Sequence, residues 1–296
     1  MMIPTLEGKT VVASISGGKD SAAMSLHLRE RGIEHRRVFM DTGWESEVTY
    51  EYLRGELTRV LGPIEEIMAP RTMEELCFKK GMFPSRLRRF CTEELKVKPM
   101  IRYINALIDA GHECINTVGI RRAESKARSQ LEGWEWSDAF DSWVWRPLII
   151  WSEQDVIDIH ARHGLMPNPL YLKGASRVGC WPCIFSRKSE IAFIAKTDPC
   201  RIDRLRVLEE RVGDAAEARA SAKGQTLEDR GHHRPAWFQS NQRSSDGVYH
   251  CMPIDEAVKW ANTAHGGRQV DMFAAGVGDE GCMRWGLCDH GNGDDK

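Results

Sequence analysis

The stretch Ser14-Ile15-Ser16-Gly17-Gly18-Lys19-Asp20-Ser21 lies between an apolar run, Val11-Val12-Ala13, and a helix-forming segment that begins at Ala22. Strand, glycine turn and helix together place backbone amides against an anion. Glycine lets the backbone approach a ligand closely. The first turn of the helix presents unpaired N–H groups and the positive end of its dipole. Lys19 adds a point charge, and Ser16 and Ser21 add hydroxyl donors. The run does not fit the Walker A spacing, G-x-x-x-x-G-K-[ST].

From Ser16 to Ser21 the same residues spell S-G-G-x-D-S, with Lys19 at the variable position. This resembles the PP-loop of the ATP pyrophosphatase (adenine nucleotide alpha hydrolase) superfamily. The resemblance implies that Ser14, Ser16, Gly17, Gly18, Lys19, Asp20 and Ser21 hold a nucleotide's phosphates. Lys19 would neutralise the charge that develops on the leaving group, and Asp20 would orient Mg²⁺ or the loop.

Residues 37–40 read as a second strand that ends at Asp41-Thr42-Gly43-Trp44-Glu45. Two strands with a helix between them suggest a parallel βαβ unit. Ligands in such sheets bind beyond the carboxyl ends of the strands. The run D-T-G-x-E resembles a segment of the phosphoadenosine phosphosulfate (PAPS) reductase branch of the superfamily, where it lines the adenosine pocket. The resemblance thus adds Asp41, Thr42 and Gly43 to the site. Thr72-Met73-Glu74-Glu75 fits a capping box that opens a helix. Residues 114–119 read as a strand running into Gly119-Ile120-Arg121-Arg122-Ala123-Glu124-Ser125-Lys126-Ala127-Arg128. This resembles the family's G-x-R-x-x-E-S-x-x-R segment, so Gly119, Arg121 and Arg128 join the phosphate-binding set. Residues 143–148 read as a further strand. Trp134, Trp136, Trp143 and Trp145 suit hairpin packing better than base stacking.

Nine cysteines are many for such a chain. Cys91 lies among Arg86, Arg88, Arg89, Lys96 and Lys98, and positive neighbours favour thiolate. The segment resembles C-C-x-x-x-K-x-x-P of sulfonucleotide reductases, with Phe90 in place of the first cysteine. Cys180-Trp181-Pro182-Cys183 follows Asn168-Pro169-Leu170-Tyr171, and the pair resembles the same family. C-x-x-C spacing suits two thiolates on one metal or cluster, a zinc site or a dithiol redox pair. The resemblance implies a [4Fe–4S] cluster on Cys91, Cys180 and Cys183. Cys288, in Gly286-Leu287-Cys288, would be its fourth ligand or a nucleophile, in the manner of the tail cysteine of E-C-G-L-H in sulfonucleotide reductases. Cys282 competes for both roles. His160 and His163 lack a ligand pattern and read as structural or surface residues.

The 296 residues carry a formal net charge of −2, so no global basic field points to nucleic acid. No apolar run approaches the roughly 20 residues that a membrane span needs. The first residues lack the basic and apolar regions of a signal peptide, so a cytoplasmic protein is expected. Residues 204–222 read as an exposed helix, and 225–247 as a polar loop.

The resulting expectation is an α/β fold with a doubly wound, mainly parallel five-stranded sheet and a smaller, partly helical C-terminal region. Residues 1–200 would form the nucleotide-binding domain, including the C-x-x-C segment, and 201–296 the C-terminal region with its cysteine tail. Together the resemblances imply an enzyme that cleaves ATP to an adenylated intermediate and pyrophosphate in an iron–sulfur-assisted sulfur transfer. Partners would be an adenine nucleotide, a sulfur-donor protein or thioredoxin-like reductant, and a nucleic-acid or small-molecule acceptor. One alternative is a sulfonucleotide reductase that acts on PAPS or its relative and releases sulfite. Another is a non-catalytic nucleotide-sensing subunit.

Overall fold

A computed structural model describes residues 5–243, 249–263 and 285. β1 (Thr10–Ile15) leads through the glycine turn into α1 (Lys19–Glu30), then β2 (His35–Asp41). Glu47–Tyr52, the π turn Leu53–Leu57 and Thr58–Leu61 run on as one helix, α2. β3 (Glu65–Met68) and α3 (Met73–Lys80) follow. The expected capping box opens α3: Thr72 Oγ1 accepts from Glu75 N–H at 3.4 Å, and Glu75 Oε2 accepts from Thr72 N–H at 2.8 Å.

Phe90–Thr92, a second π turn Glu93–Val97 and Lys98–Asp109 form α4. Half of the basic Cys91 segment is therefore the first turns of a helix. β4 (Cys114–Val118) comes next, then a hairpin of β5 (Trp134–Ser137) and β6 (Ser142–Trp145). α5 (Glu153–Arg162), the short α6 (Pro169–Leu172), α7 (Lys188–Thr197) and α8 (Pro199–Ser221) complete the core part. β7 (Phe238–Arg243) pairs antiparallel with β8 (Tyr249–Met252), and α9 (Ile254–Ala261) follows. The polar stretch expected to be a loop over 225–247 thus contains a strand, β7. Among the described residues no helix is long and apolar enough to cross a membrane.

The main sheet has six strands in the order β3-β2-β1-β4-β6-β5, parallel except where β5 meets β6. The strands expected before the glycine turn and at 37–40, 114–119 and 143–148 are present as β1, β2, β4 and β6, β3 makes a fifth, and β5 is a sixth beyond the expected five. It is an edge strand held by tryptophans: Trp134 stacks on Trp145 with centroids 4.9 Å apart, and Trp136 meets Trp143 edge-on at 5.8 Å. These rings pack on one another, as hairpin residues do.

Helices cover both sheet faces. α4 lays Met100, Ile104 and Leu107, spaced at helical period, on Val12, Val38 and Cys114. Each such apolar side chain contributes about 1.5–3 kcal/mol on full burial. α1, α2 and α5 cover Val11, Ala13 and Ile15 on the other face. A third cluster joins Trp44, Leu95 and Trp181 to Leu205, Trp237 and Ile254, so residues on both sides of position 200 share a core. The strand order reverses between β1 and β4, which leaves a crevice at their carboxyl ends.

Candidate active site

The turn after β1 is built by its own hydroxyls. Ser16 N–H donates to Ser21 Oγ at 3.1 Å, the two hydroxyls lie 3.1 Å apart, and Ser21 Oγ donates to Gly18 O at 3.0 Å. Gly17 has φ +71°, and a Cβ there would sit 2.7 Å from Thr49 Cγ2. Gly18 caps α1 with no side-chain hydrogen bond. The loop is therefore tight, and its cap residue contributes no side chain at the start of α1.

The N-P-L-Y run, which resembles the family but had no role assigned from the sequence, holds this loop. Asn168 Nδ2 donates to Gly17 O at 3.3 Å and to Thr49 Oγ1 at 3.2 Å, while its Oδ1 caps α6 through Leu170 N–H at 3.0 Å. Tyr171 Oη accepts from Lys19 N–H at 3.4 Å. The signal was present in the Asn-Pro pair, because asparagine before proline favours a cap followed by proline in the first helical turn.

Lys19 Nζ lies 3.2 Å from Asp20 Oδ2 and 3.4 Å from Glu153 Oε1, over the Tyr171 ring. Burial opposes its charge, but Tyr171, Asp20 and Glu153 together raise its pKa above the usual value. Asp20 also accepts from Arg121 Nε, and Arg121 is only 4% exposed. Asp20 thus bridges Lys19 and Arg121. Gly119 lets this happen: a Cβ on it would lie 2.7 Å from Asp20 O and 3.0 Å from Ser21 Cα. Arg128 is placed differently. It is paired with Glu124 on the exposed side of its turn, whereas Arg121 is buried against Asp20; neither arginine lines the two cavities that meet at Gly179.

Two cavities meet at Gly179. The larger, about 580 Å³, lies under the loop against the α4 face of the sheet, and its walls include Ser14, Ser16, Met40, Lys96, Asn116 and Arg146. The smaller, about 260 Å³, includes Lys19, Glu153, Tyr171, Cys180, Cys183 and Trp285. Asp41 and Thr42 turn into their own loop. Asp41 Oδ1 accepts from Gly43 N–H at 2.8 Å and from Tyr50 Oη at 2.6 Å, and Thr42 Oγ1 donates to Glu45 Oε2 at 2.8 Å. Gly43, with φ +64°, passes Thr72 where a Cβ would meet Cγ2 at 2.9 Å. Their neighbours Met40 and Glu45 are the residues that reach the larger cavity.

Trp44 and the C-x-x-C segment are joined. Trp181 N–H donates to Trp44 O at 2.9 Å, and Trp44 Nε1 donates to Pro182 O at 3.0 Å. Cys91, Cys180 and Cys183 interact electrostatically with one another, and the Lys96 ammonium hydrogen-bonds Cys180. Burial opposes the thiolate expected at Cys91 from the basic run, and opposes it at Cys180 too. Arg86, Arg88 and Arg89 point to solvent, and burial raises the pKa of Cys91 and pushes that of Cys180 up to about 11, against the pull of Lys96. Lys96 stays charged, its pKa raised chiefly by Cys180. It was visible only as one of many basic residues; the π turn of α4 is what aims it inward.

Among the described residues no group of three or more His, Cys, Asp or Glu side chains is placed to hold a metal ion. The implied fourth cluster ligand, Cys288, and its competitor Cys282 lie outside the described residues. The described residues thus do not by themselves make the implied cluster or Mg²⁺ site. His160 is buried, with its Nδ1 on Val156 O at 2.7 Å, and His163 pairs with Glu30.

Residues 10–186 match the model of a family described as the phosphoadenosine phosphosulfate reductase domain. The chain is 32% identical to the "uncharacterized 37.8 kDa protein in gpa 5'region" of Escherichia phage 186, over 89% of this chain and 91% of that one. It is 30% identical to the adenosine 5'-phosphosulfate reductase of Streptomyces coelicolor, over 54% of this chain and 66% of that protein's length. Among solved structures, the phosphoadenylyl-sulfate reductase of Candida auris in a phosphate complex aligns with a TM-score of 0.46 at 18% identity, over 60% of this chain and 83% of that one.

Proposed function

Because this chain belongs to the phosphoadenosine phosphosulfate reductase domain family, we propose that it is an enzyme that binds an adenine nucleotide across the two cavities and cleaves ATP between the α- and β-phosphates. The adenosine occupies the larger cavity and the phosphates lie along Ser16–Ser21. The α-phosphorus then faces the smaller cavity, where the acceptor enters. A nucleophilic atom of the acceptor attacks that phosphorus. The α–β bridging bond breaks, and its electron pair leaves with pyrophosphate. The protein's contribution is alignment and charge stabilisation. Lys19, anchored by Asp20 and Glu153, meets the charge that grows on the leaving group. Arg121 fixes Asp20 so that the ammonium stays at the loop. The adenylated acceptor then exchanges AMP for sulfur from a donor, a sulfur-donor protein serving a nucleic-acid or small-molecule acceptor.

The observation that carries this reading is the complete loop, with Lys19 held on the wall of the smaller cavity, which meets the larger one at Gly179. The second reading, sulfonucleotide reduction, draws on the likeness to adenosine 5'-phosphosulfate reductases. There a thiol attacks the sulfate sulfur and the S–O bond to the nucleotide breaks. A second thiol then releases sulfite as the two sulfurs form a disulfide.

The test supplies ATP and PAPS in parallel to anaerobically purified protein with a thiol donor, and follows pyrophosphate and sulfite. Pyrophosphate from ATP, falling about 10²–10³-fold in Lys19→Ala, is the expected result. Sulfite from PAPS would transfer the protein to the second reading. Tight ATP binding with neither product would leave a nucleotide-sensing subunit.

A further inference from the structure

Two buried polar atoms in the larger cavity have no partner in the protein. Asn116, 3% exposed in the middle of β4, leaves Oδ1 without a hydrogen bond. Arg146, 8% exposed just beyond β6, leaves Nε without one, although its Nη1 donates to Glu132 O at 2.9 Å and its Nη2 to Glu135 Oε2 at 2.6 Å. A buried polar atom left unpaired costs about 1–3 kcal/mol, so a partner that arrives with the ligand is the physical remedy.

The sheet register puts both on one face. Asn116 pairs with Val144, and Arg146 lies two residues further along the same chain, so both side chains leave the sheet on the α4 side. Both line the cavity, together with Val118, Val144 and Phe140. Beside these apolar side chains the wall carries one unpaired acceptor and one unpaired donor, and Lys96, Glu45 and Glu135 line the same cavity. The Arg146 guanidinium is clamped at its other two nitrogens, which fixes the direction of Nε–H.

We infer that Asn116 and Arg146 read the base of the nucleotide, with Asn116 Oδ1 accepting from the exocyclic amine of adenine and Arg146 Nε–H donating to a ring nitrogen beside it. The inference rests on the nucleotide site proposed above and adds the specificity. Adenine offers a donor at N6 next to an acceptor at N7, whereas guanine and hypoxanthine carry an acceptor, O6, in place of the amine. An oxygen there would face Asn116 Oδ1 and leave it unpaired.

The test is equilibrium binding of ATP and of inosine triphosphate (ITP), which has O6 where ATP has the amine. Wild type is expected to prefer ATP by about tenfold or more. Asn116→Val, a residue that suits a strand lined by valines, is expected to bring the two affinities within about twofold. Asn116→Thr serves the same purpose if melting shows that the valine variant does not fold. Thr117→Val removes another buried unpaired oxygen, one strand position away on the opposite face, and is expected to keep the ratio. Lys19→Ala is expected to weaken both ligands alike and also keep it. An unchanged ATP:ITP ratio in the Asn116 variants, or no preference in wild type, overturns the base-reading role and leaves the nucleotide site standing. Failure of wild type to bind either triphosphate overturns the nucleotide site and the inference with it.

Discussion

Gly119 is the position at which a single methyl group is most consequential. Its Cβ would press on the backbone of Asp20 and Ser21, and backbone cannot swing aside as a side-chain tip does. Gly119→Ala is therefore expected to lose about 1–3 kcal/mol in urea unfolding. Nucleotide binding should fall with it, because Asp20 carries both Lys19 and Arg121. Wild-type stability in that variant would show that the strand end and the loop are not in close contact. Cys91 illustrates the opposite situation at the same scale. Its basic neighbours in sequence suggested a thiolate, but exposed arginines are screened by water, and burial dominates the thiol's titration. Lys19, Asp20 and Ser16 were legible in the sequence because a local turn determines their positions. The Asn-Pro pair signals the cap that Asn168 makes on α6, but its hold on the loop, like the contacts of Tyr171 and Lys96, reaches across the chain and has no local pattern.

Among the elements, α8 holds the end of the described fold through one buried carboxylate. Glu209 accepts from Trp237 N–H at 2.8 Å and from Ile254 N–H at 2.9 Å, at the entry to β7 and the start of α9. Burial raises its pKa, and those two backbone donors pull it back down. Glu209→Gln keeps the shape but turns an amide N–H₂ toward one of the donors. It is expected to cost about 1–3 kcal/mol in thermal melts, whereas the exposed neighbour change Glu210→Gln should stay within about 0.5 kcal/mol. Equal melts for the two would remove the tie. The capping box at Thr72 was readable beforehand because it is a local spacing. The extra strand β5 was not, since an aromatic run that favours hairpin packing does not by itself show which strand it pairs with.

For the whole molecule, the pH dependence of stability has an identifiable contributor in His160. It is 1% exposed, and burial lowers its pKa to about 4 from 6.5. Between those values the unfolded chain takes up a proton that the folded chain refuses, so stability falls as pH drops through that window. Moving from pH 7 to pH 5 is expected to cost about 2 kcal/mol through this group. His160→Phe should flatten the dependence by that amount in denaturant titrations at the two pH values. An unchanged slope would place the proton uptake elsewhere. His160 also touches Trp285, which lines the smaller cavity, at 5.4 Å between ring centroids. The same global arrangement places the crevice. Strand order reverses at β1 and β4, so the loop, Arg121 and Asn116 converge although more than a hundred residues separate the first from the last of the residues that build it.

The sequence by itself determined the glycine turn after β1, the alternation of strands and helices and therefore the parallel sheet. Each of these is written in short-range spacing that the backbone must obey. Only the tertiary structure decided that Asp20 bridges Lys19 and Arg121, that Arg128 stays outside both cavities, that Lys96 meets Cys180, and that Asn116 and Arg146 leave unpaired atoms on one wall. Those outcomes depend on strand order and burial, which set distance and solvation between residues remote in the chain.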